Sequence, residues 1–212
     1  MTLHFVIGTE DRSGKSWFIR GLVECLQQFG QVAVVDASAN KLLGNIYNPH
    51  LNKVYNLRFD ACNNLLADRT IELAQQQIAL IIKVPAADII YFQKWVKDIE
   101  IWKLEIVSYI WIVGRFLPDD LAKTFDVFEI KLHFVHNQYF GDSALAVPLK
   151  QRNIDRVMLP RFAATLDTNA VEKSEQTLRA LFNSSNCSFI TKVRIQRFLS
   201  KMRSEVMPIL SG

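Results

Sequence analysis

An apolar segment near the N-terminus runs directly into a short polar turn, and a helical pattern begins where the turn ends. The segment reads Leu-His-Phe-Val-Ile over residues 3–7, and the turn closes with Gly14, Lys15 and Ser16. Backbone N–H groups at the start of a helix lack partners within the helix, and the helix dipole adds partial positive charge there. We therefore expect an anion at this junction, with Gly14 allowing close approach and Lys15 supplying a charge.

The spacing of the turn departs from the full phosphate-binding pattern. The Walker pattern requires a glycine five residues before Gly14, and that position holds Thr9. Gly8 lies one residue too early. The motif alone is therefore equally compatible with a phosphate-binding loop and with an ordinary strand-to-helix turn that contains Gly-Lys-Ser by chance.

The residues after the turn favour the phosphate-binding reading. Apolar residues recur at helical spacing from Ser16 to Phe29, Gly30 follows as a stop signal, and residues 31–36 read as a buried strand ending in Asp36. A strand, a turn, a helix and a second strand form a βαβ unit, whose right-handed crossover belongs to a parallel sheet. We predict a single-domain, three-layer α/β/α fold with a mostly parallel sheet.

The order of the motifs resembles the ParA/MinD group of P-loop ATPases, which carry a deviant Walker A loop. That group's loop reads Lys-Gly-Gly-x-Gly-Lys-Ser/Thr-Thr, and residues 10–17 read Glu-Asp-Arg-Ser-Gly-Lys-Ser-Trp. The group's later motifs, in order, are a strand ending Asp-x-Asp, a strand ending Asp-x-Pro-Ala, a strand ending in asparagine, and a strand followed by Pro-Arg. They align with Asp36-Ala-Ser, residues 81–86, residues 134–137 and residues 157–161. The resemblance spans about residues 3–183.

The resemblance implies a P-loop fold that binds ATP with Mg²⁺. Ser16 and Asp36 would hold the metal, Asn137 would read adenine, and Pro160 and Arg161 would lie at the base pocket. The full set of nucleotide-binding residues implied is Arg12, Ser13, Gly14, Lys15, Ser16, Trp17, Asp36, Asn137, Pro160 and Arg161. The resemblance also implies a homodimer with a protein partner, acting as a switch in plasmid partition, mobilisation or cellular positioning.

Several positions depart from the group's pattern. Glu10 replaces the signature lysine, so its negative charge opposes a triphosphate unless Arg12 or a metal compensates. Trp17 replaces a hydroxyl that would bond the α-phosphate, and Ser38 replaces the carboxylate that would orient the attacking water. Lys83 replaces the aspartate that holds Mg²⁺ through water. Because phosphoryl transfer depends on such groups, we expect weak or absent hydrolysis.

Lys83 has two readings. It substitutes for part of the metal's charge near the phosphates, or it is a lysine at a strand end whose head reaches solvent. Two classes of function also remain open: a nucleotide-dependent switch, and a pseudo-ATPase that keeps the fold as an interaction scaffold without hydrolysis. A ligase with a small-molecule acceptor would need a substrate site that the sequence does not identify.

Composition excludes other classes of protein. The 212 residues are 50% hydrophobic, and their apolar runs fall short of the roughly 20 residues that cross a bilayer. With no leader pattern at the N-terminus, we predict a cytoplasmic protein. The three cysteines and four histidines form no disulfide, zinc or catalytic arrangement.

Basic residues concentrate in a predicted helix at about residues 189–206, within a net charge of +4. They are Lys192, Arg194, Arg197, Lys201 and Arg203. This helix could contact DNA, an anionic membrane surface or a protein, or it could cover the sheet with a solvated charged face.

The remaining chain predicts further elements. Helices are expected over residues 65–77, 88–99, 118–125 and from Asp167 or Thr168 to Phe182, and strands over residues 79–84, 105–113 and 128–135. Residues 40–59 and 138–153 read as loops.

Overall fold

Six strands among the described residues form one parallel sheet, which confirms the predicted α/β fold. The computed structural model describes residues 2–49, 59, 64–104, 106–113, 132–137, 156–159, 171 and 174–210. The strands are β1 (Thr2–Ile7), β2 (Val32–Asp36), β3 (Ala79–Lys83), β4 (Val107–Val113), β5 (Leu132–Asn137) and β6 (Arg156–Leu159). Their order across the sheet is β2-β3-β1-β4-β5-β6, and every adjacent pair is parallel.

Helices cover both faces of this sheet. They are α1 (Lys15–Leu26), α2 (Leu42–Tyr47), α3 (Asn64–Gln75), α4 (Ile89–Ile99), α5 (Leu178–Asn183), α6 (Phe189–Lys201) and α7 (Met207–Leu210). Short 3₁₀ helices span Ala86–Asp88 and Ile101–Lys103, and a π-helical segment, Met202–Val206, joins α6 to α7. Parallel strands buried on both sides account for their nearly unbroken apolar sequences.

The two faces of the sheet have different cores. On one face, side chains of α1, α5 and α6 pack on Val6, Val34 and Ile110. On the other face, aromatic rings of α4 pack on the central strands, and the rings of Phe5 and Phe92 lie 5.0 Å apart between centroids. Each face therefore buries its own apolar layer, which gives the predicted three layers.

Helix α1 begins and ends close to its predicted limits. Its apolar stripe is fully buried, as the spacing predicts, through Phe18, Ile19 and Leu22. The helix ends at Leu26, however, and a turn follows, so Phe29 is 68% exposed and does not belong to the buried stripe.

The parallel register brings three strand ends together at one edge. Asp36 at the end of β2 pairs with Lys83 at the end of β3, and Lys83 in turn pairs with Val6 of β1. The polypeptide leaves β1 immediately after Ile7 and turns towards α1. This carboxyl edge of the sheet therefore holds the loop of residues 8–14 beside the Asp36 and Lys83 side chains.

Two sequence predictions differ from the structure. Residues 40–49 are not an extended loop, because α2 forms there; its Leu43 N–H donates to the Asp36 carboxylate at 3.1 Å, a tertiary contact that local composition does not reveal. The predicted helix ending at Phe182 is interrupted by a turn around Glu175, whose φ is 50°, so α5 begins only after the cap Thr177. The predicted helix 118–125 and loop 138–153 lie outside the described residues, as does the start of the predicted strand 128–135.

Candidate phosphate-binding site

The loop between β1 and α1 closes on a glycine that no other residue replaces without strain. Gly14 has φ 104°, a left-handed conformation, and its carbonyl accepts the first helical hydrogen bond from Phe18 N–H at 2.9 Å. A Cβ at this position would collide with the Asn137 side-chain amide. The chain thus reverses tightly at Gly14, where the first turn of α1 begins, and helix geometry gives the N–H groups of that turn no partner within the helix.

The start of the loop lies against the neighbouring strand. A Cβ on Gly8 would stand 2.7 Å from the carbonyl oxygen of Ile112 on β4. This glycine is therefore needed for close approach to β4, although it is not at the position that the Walker pattern requires. The two glycines bracket residues 9–13, of which Asp11 and Arg12 are exposed.

The Lys15 ammonium is held inside the loop by oxygens that carry no formal charge. It donates to the carbonyl of Glu10 at 2.7 Å and more weakly to the carbonyl of Gly8 at 3.3 Å and the hydroxyl of Ser13 at 3.4 Å. Only 6% of Lys15 is exposed. No carboxylate of the described residues lies within ion-pair distance of this ammonium, so its charge has no direct counter-ion there.

Burial alters the proton affinity of Lys15. It lowers the pKa of the side chain from 10.5 to about 8, with the positive charge of Lys83 acting in the same direction. The carboxylates of Asp11 and Glu10 act in the opposite direction. The ammonium is therefore mostly protonated at pH 7 and largely neutral by pH 9.

Asn137, at the end of β5, supports the loop from the other side. Its Nδ2 donates to the carbonyl oxygen of Ser13 at 2.9 Å, and the residue is 8% exposed. The contact joins residues 124 positions apart in the chain. The amide thus fixes the backbone immediately before Gly14; its predicted role in reading adenine stays a prediction.

The carboxylate of Asp36 receives four hydrogen bonds. Oδ1 accepts from the backbone N–H of Ser38 at 3.1 Å and from the Ser38 hydroxyl, and Oδ2 accepts from Leu43 N–H at 3.1 Å and from Lys83 Nζ at 3.3 Å. The Asp36 side chain is fully buried. A buried carboxylate with these partners is satisfied without a metal.

Lys83 completes this group as its cation. Its side chain is 13% exposed, and its Nζ lies 3.3 Å from Asp36 Oδ2 and 3.4 Å from the Ser38 hydroxyl. Of the two sequence readings, the lysine that simply reaches solvent does not describe this position. The buried ion pair of Asp36 and Lys83 is called the strand-end pair below, and the Ser38 hydroxyl contacts both of its members.

The strand-end pair is a poor fit for Mg²⁺. Each Asp36 oxygen already accepts two hydrogen bonds, so a metal bound directly to Asp36 would have to displace one of these donors, and it would meet the positive charge of Lys83 at short range. Ser16, the other predicted metal ligand, is the second residue of α1 and is partly exposed. The predicted metal ligation by Ser16 and Asp36 therefore has no support from the arrangement of donors around Asp36.

Of the remaining predicted residues, two are described by the structure, Trp17 and Arg12. Trp17 is half-buried and packs edge to face on Phe198 of α6, with ring centroids 6.2 Å apart. Arg12 is exposed in the loop with a left-handed φ of 61°. Pro160 and Arg161 lie outside the described residues.

Sequence reasoning missed the partnership between Asp36 and Lys83. Asp36 matches a position of the family pattern and Lys83 replaces one, and their pairing depends on β2 and β3 being neighbours in the sheet. A signal existed in the sequence, because one strand ends in a carboxylate and a later strand ends in a lysine. Parallel strands bring such ends to the same edge.

Two features are absent from the described residues. None of the helices among them is both long and apolar enough to cross a membrane. Their histidine, cysteine, aspartate and glutamate side chains form no cluster of three or more that could hold a metal ion.

Comparisons with known proteins give matches among solved structures. No family model matches the chain, and no curated protein matches it. Among solved structures, the chain is similar to FlhF in the crystal structure of FlhF complexed with GMPPNP and Mg²⁺, at 10% sequence identity and a TM-score of 0.49. The likeness covers 76% of this chain and 66% of the FlhF chain.

Proposed function

We propose that this protein binds the phosphate groups of a nucleotide, with ATP as the first candidate, at the loop of residues 8–16. The observation that carries the proposal is the buried Lys15 ammonium, which lies at the first turn of α1 with no ion-pair partner among the described residues. A phosphate there would receive backbone N–H donors, the dipole of a 12-residue helix and one full positive charge.

The same site is poorly equipped for hydrolysis. Ser38 donates its hydroxyl to Asp36, so it is committed to the strand-end pair and offers no carboxylate to a water molecule. Lys83 occupies a position next to Asp36 that a metal-binding aspartate would need to hold. We therefore propose a nucleotide-binding protein of the ParA/MinD kind in which hydrolysis is very slow or lost. The hydrogen-bond partners around Asp36 support the proposal that hydrolysis is very slow or lost.

Calorimetric titration with ATP tests the binding proposal. The Lys15→Ala variant should bind about 10- to 100-fold more weakly than the unmodified protein, because it loses the buried positive charge at the first turn of α1. Lys97→Ala is a matched control, since Lys97 is exposed on α4. No heat with the unmodified protein, or equal binding by Lys15→Ala, would contradict the proposal.

Partners are proposed on the outer face of α6. Three apolar side chains at the start of this helix are exposed, and exposed basic residues follow them. The apolar residues are Phe189 (80% exposed), Ile190 (60%) and Val193 (46%), and the basic ones include Arg197 and Lys201. In the switch reading, this face would contact DNA, a membrane or a protein in plasmid partition, mobilisation or cellular positioning, with the protein as a homodimer.

Binding assays with and without ATP test the switch reading. The protein is incubated with duplex DNA or with vesicles containing anionic lipid, and sedimentation of the mixture measures association. A nucleotide-dependent gain that is lost in Arg197→Glu would support the switch. If association with DNA or vesicles is the same with and without ATP and is unchanged in Lys15→Ala, the result would favour the alternative, an interaction scaffold without a nucleotide cycle.

A further inference from the structure

The strand-end pair has a consequence for the ligand, provided that the loop binds phosphate as proposed above. Nucleotides usually reach P-loop sites together with Mg²⁺, which neutralises part of the phosphate charge. Here the buried carboxylate nearest to the loop already has a cation of its own, Lys83. The question is which cation faces the bound phosphate.

Geometry places Lys83 beside the loop. Lys83 pairs in register with Val6, two residues before Gly8, and the N–H of Val84 donates to the Val6 carbonyl at 3.0 Å. The ammonium groups of Lys15 and Lys83 also repel each other, because the charge of Lys83 lowers the pKa of Lys15. Both lysines therefore belong to one electrostatic site at the carboxyl edge of the sheet.

Lys83 retains capacity to donate. An ammonium has three N–H groups, and among the described residues Lys83 contacts two acceptors, the Asp36 carboxylate and the Ser38 hydroxyl. A phosphate oxygen could accept the third. In contrast, Asp36 has both oxygens occupied, and it cannot take a metal without giving up a donor.

We propose that Lys83 takes the place of Mg²⁺ at this site, so that the loop binds a metal-free phosphate ligand. The protein's ligand is then the free polyphosphate group of a nucleotide, held between the ammonium groups of Lys15 and Lys83. Magnesium is not needed for its binding, and complexation of the ligand by Mg²⁺ removes oxygens that the two lysines would contact.

Titration of ATP with and without divalent metal tests this proposal. The unmodified protein should bind ATP in EDTA at least as tightly as in excess Mg²⁺. Lys83→Met should weaken binding in EDTA by about tenfold, because it removes one charge-assisted contact. Lys83→Arg keeps the charge and should keep binding in EDTA. Lys83→Asp should bind ATP only when Mg²⁺ is present.

A second variant guards against misfolding. Lys83→Met alone leaves the buried Asp36 carboxylate without its cation, which endangers the fold. The double variant Asp36→Asn with Lys83→Met carries no charge at these two positions and is similar in shape; circular dichroism and a thermal melt are used to test that it folds. It should show the same loss of ATP binding in EDTA as the single variant; unchanged binding by a folded double variant would overturn the proposal.

Manganese alone gives a measurement that does not depend on the nucleotide. In electron paramagnetic resonance, the unmodified protein should show no Mn²⁺ site that depends on Asp36, so its spectrum should match that of Asp36→Asn. Lys83→Asp should gain a Mn²⁺ site. Such a site in the unmodified protein, or ATP binding that is tenfold tighter with Mg²⁺, would overturn the substitution of Lys83 for metal while leaving phosphate binding intact. Failure to bind ATP under both conditions would overturn phosphate binding itself and this inference with it.

Discussion

Two lysines at the same edge of the sheet are stabilised in different ways. Lys15 is surrounded by carbonyl and hydroxyl oxygens of its own loop, whereas Lys83 contacts a fully buried carboxylate from the neighbouring strand. The charge of Lys15 is not neutralised by a direct partner among the described residues, and burial lowers its pKa to about 8. Lys15 can therefore attract an anion, while the ion pair with Asp36 holds Lys83 in position.

Removing the charge of Lys83 tests whether the ion pair with Asp36 stabilises this edge of the sheet, and it should give the largest change in free energy of the three experiments. Lys83→Met leaves the Asp36 carboxylate buried and without an ion-pair partner, which should lower the free energy of unfolding by about 3 kcal/mol. Urea denaturation measures this change. Asp36→Asn with Lys83→Met should recover most of the loss, and an equal loss in the double variant would show that packing, not charge, controls stability here.

Adding a methyl group at Gly14 tests how strictly the loop around Lys15 is shaped. Gly14→Ala should lower the free energy of unfolding by about 2 kcal/mol, because the left-handed backbone is strained with a side chain and the Cβ collides with Asn137. The same urea experiment measures it. In an Asn137→Ala background the additional cost of Gly14→Ala should be smaller, and strict additivity of the two changes would contradict the contact.

The pH dependence of ATP binding tests the Lys15 half and should show the smallest effect. Phosphate binding needs the protonated ammonium, so affinity should fall as pH rises through the pKa of about 8 and should be about tenfold weaker at pH 9 than at pH 7. Calorimetry at several pH values measures it. Lys15→Arg stays charged over this range, and a decline of the same size in that variant would assign the effect to another group.

Local sequence patterns were sufficient for the order of elements in the first βαβ unit. The buried positions of α1 follow the helical period, and the apolar runs of β2 and β3 leave little alternative to parallel strands covered on both faces. Gly14 and Lys15 could also be assigned to the strand-to-helix junction, because residue type and spacing determine that turn locally.

The contacts that shape the site required the tertiary fold. The hydrogen bond from Asn137 to Ser13 and the ion pair of Lys83 with Asp36 join residues 124 and 47 positions apart. Neither has a local pattern, since each depends on which strands become neighbours. Helix α2 was missed for a different reason: the asparagine-rich composition of its segment is typical of a loop, and the support that its Leu43 N–H receives from the buried Asp36 carboxylate is not visible in that composition.

The edge-to-face contact of Trp17 with Phe198 gives the loop an optical reporter. Trp17 is the third residue of α1 and follows the Lys15 position by two, while Phe198 belongs to α6 on the same side of the sheet. A shift in the first turn of α1 changes the surroundings of this indole, and indole emission responds to such surroundings. Because the chain has four tryptophans, the Trp17 signal is the difference in emission between the protein and its Trp17→Phe variant, and that difference follows events at the loop without an attached dye.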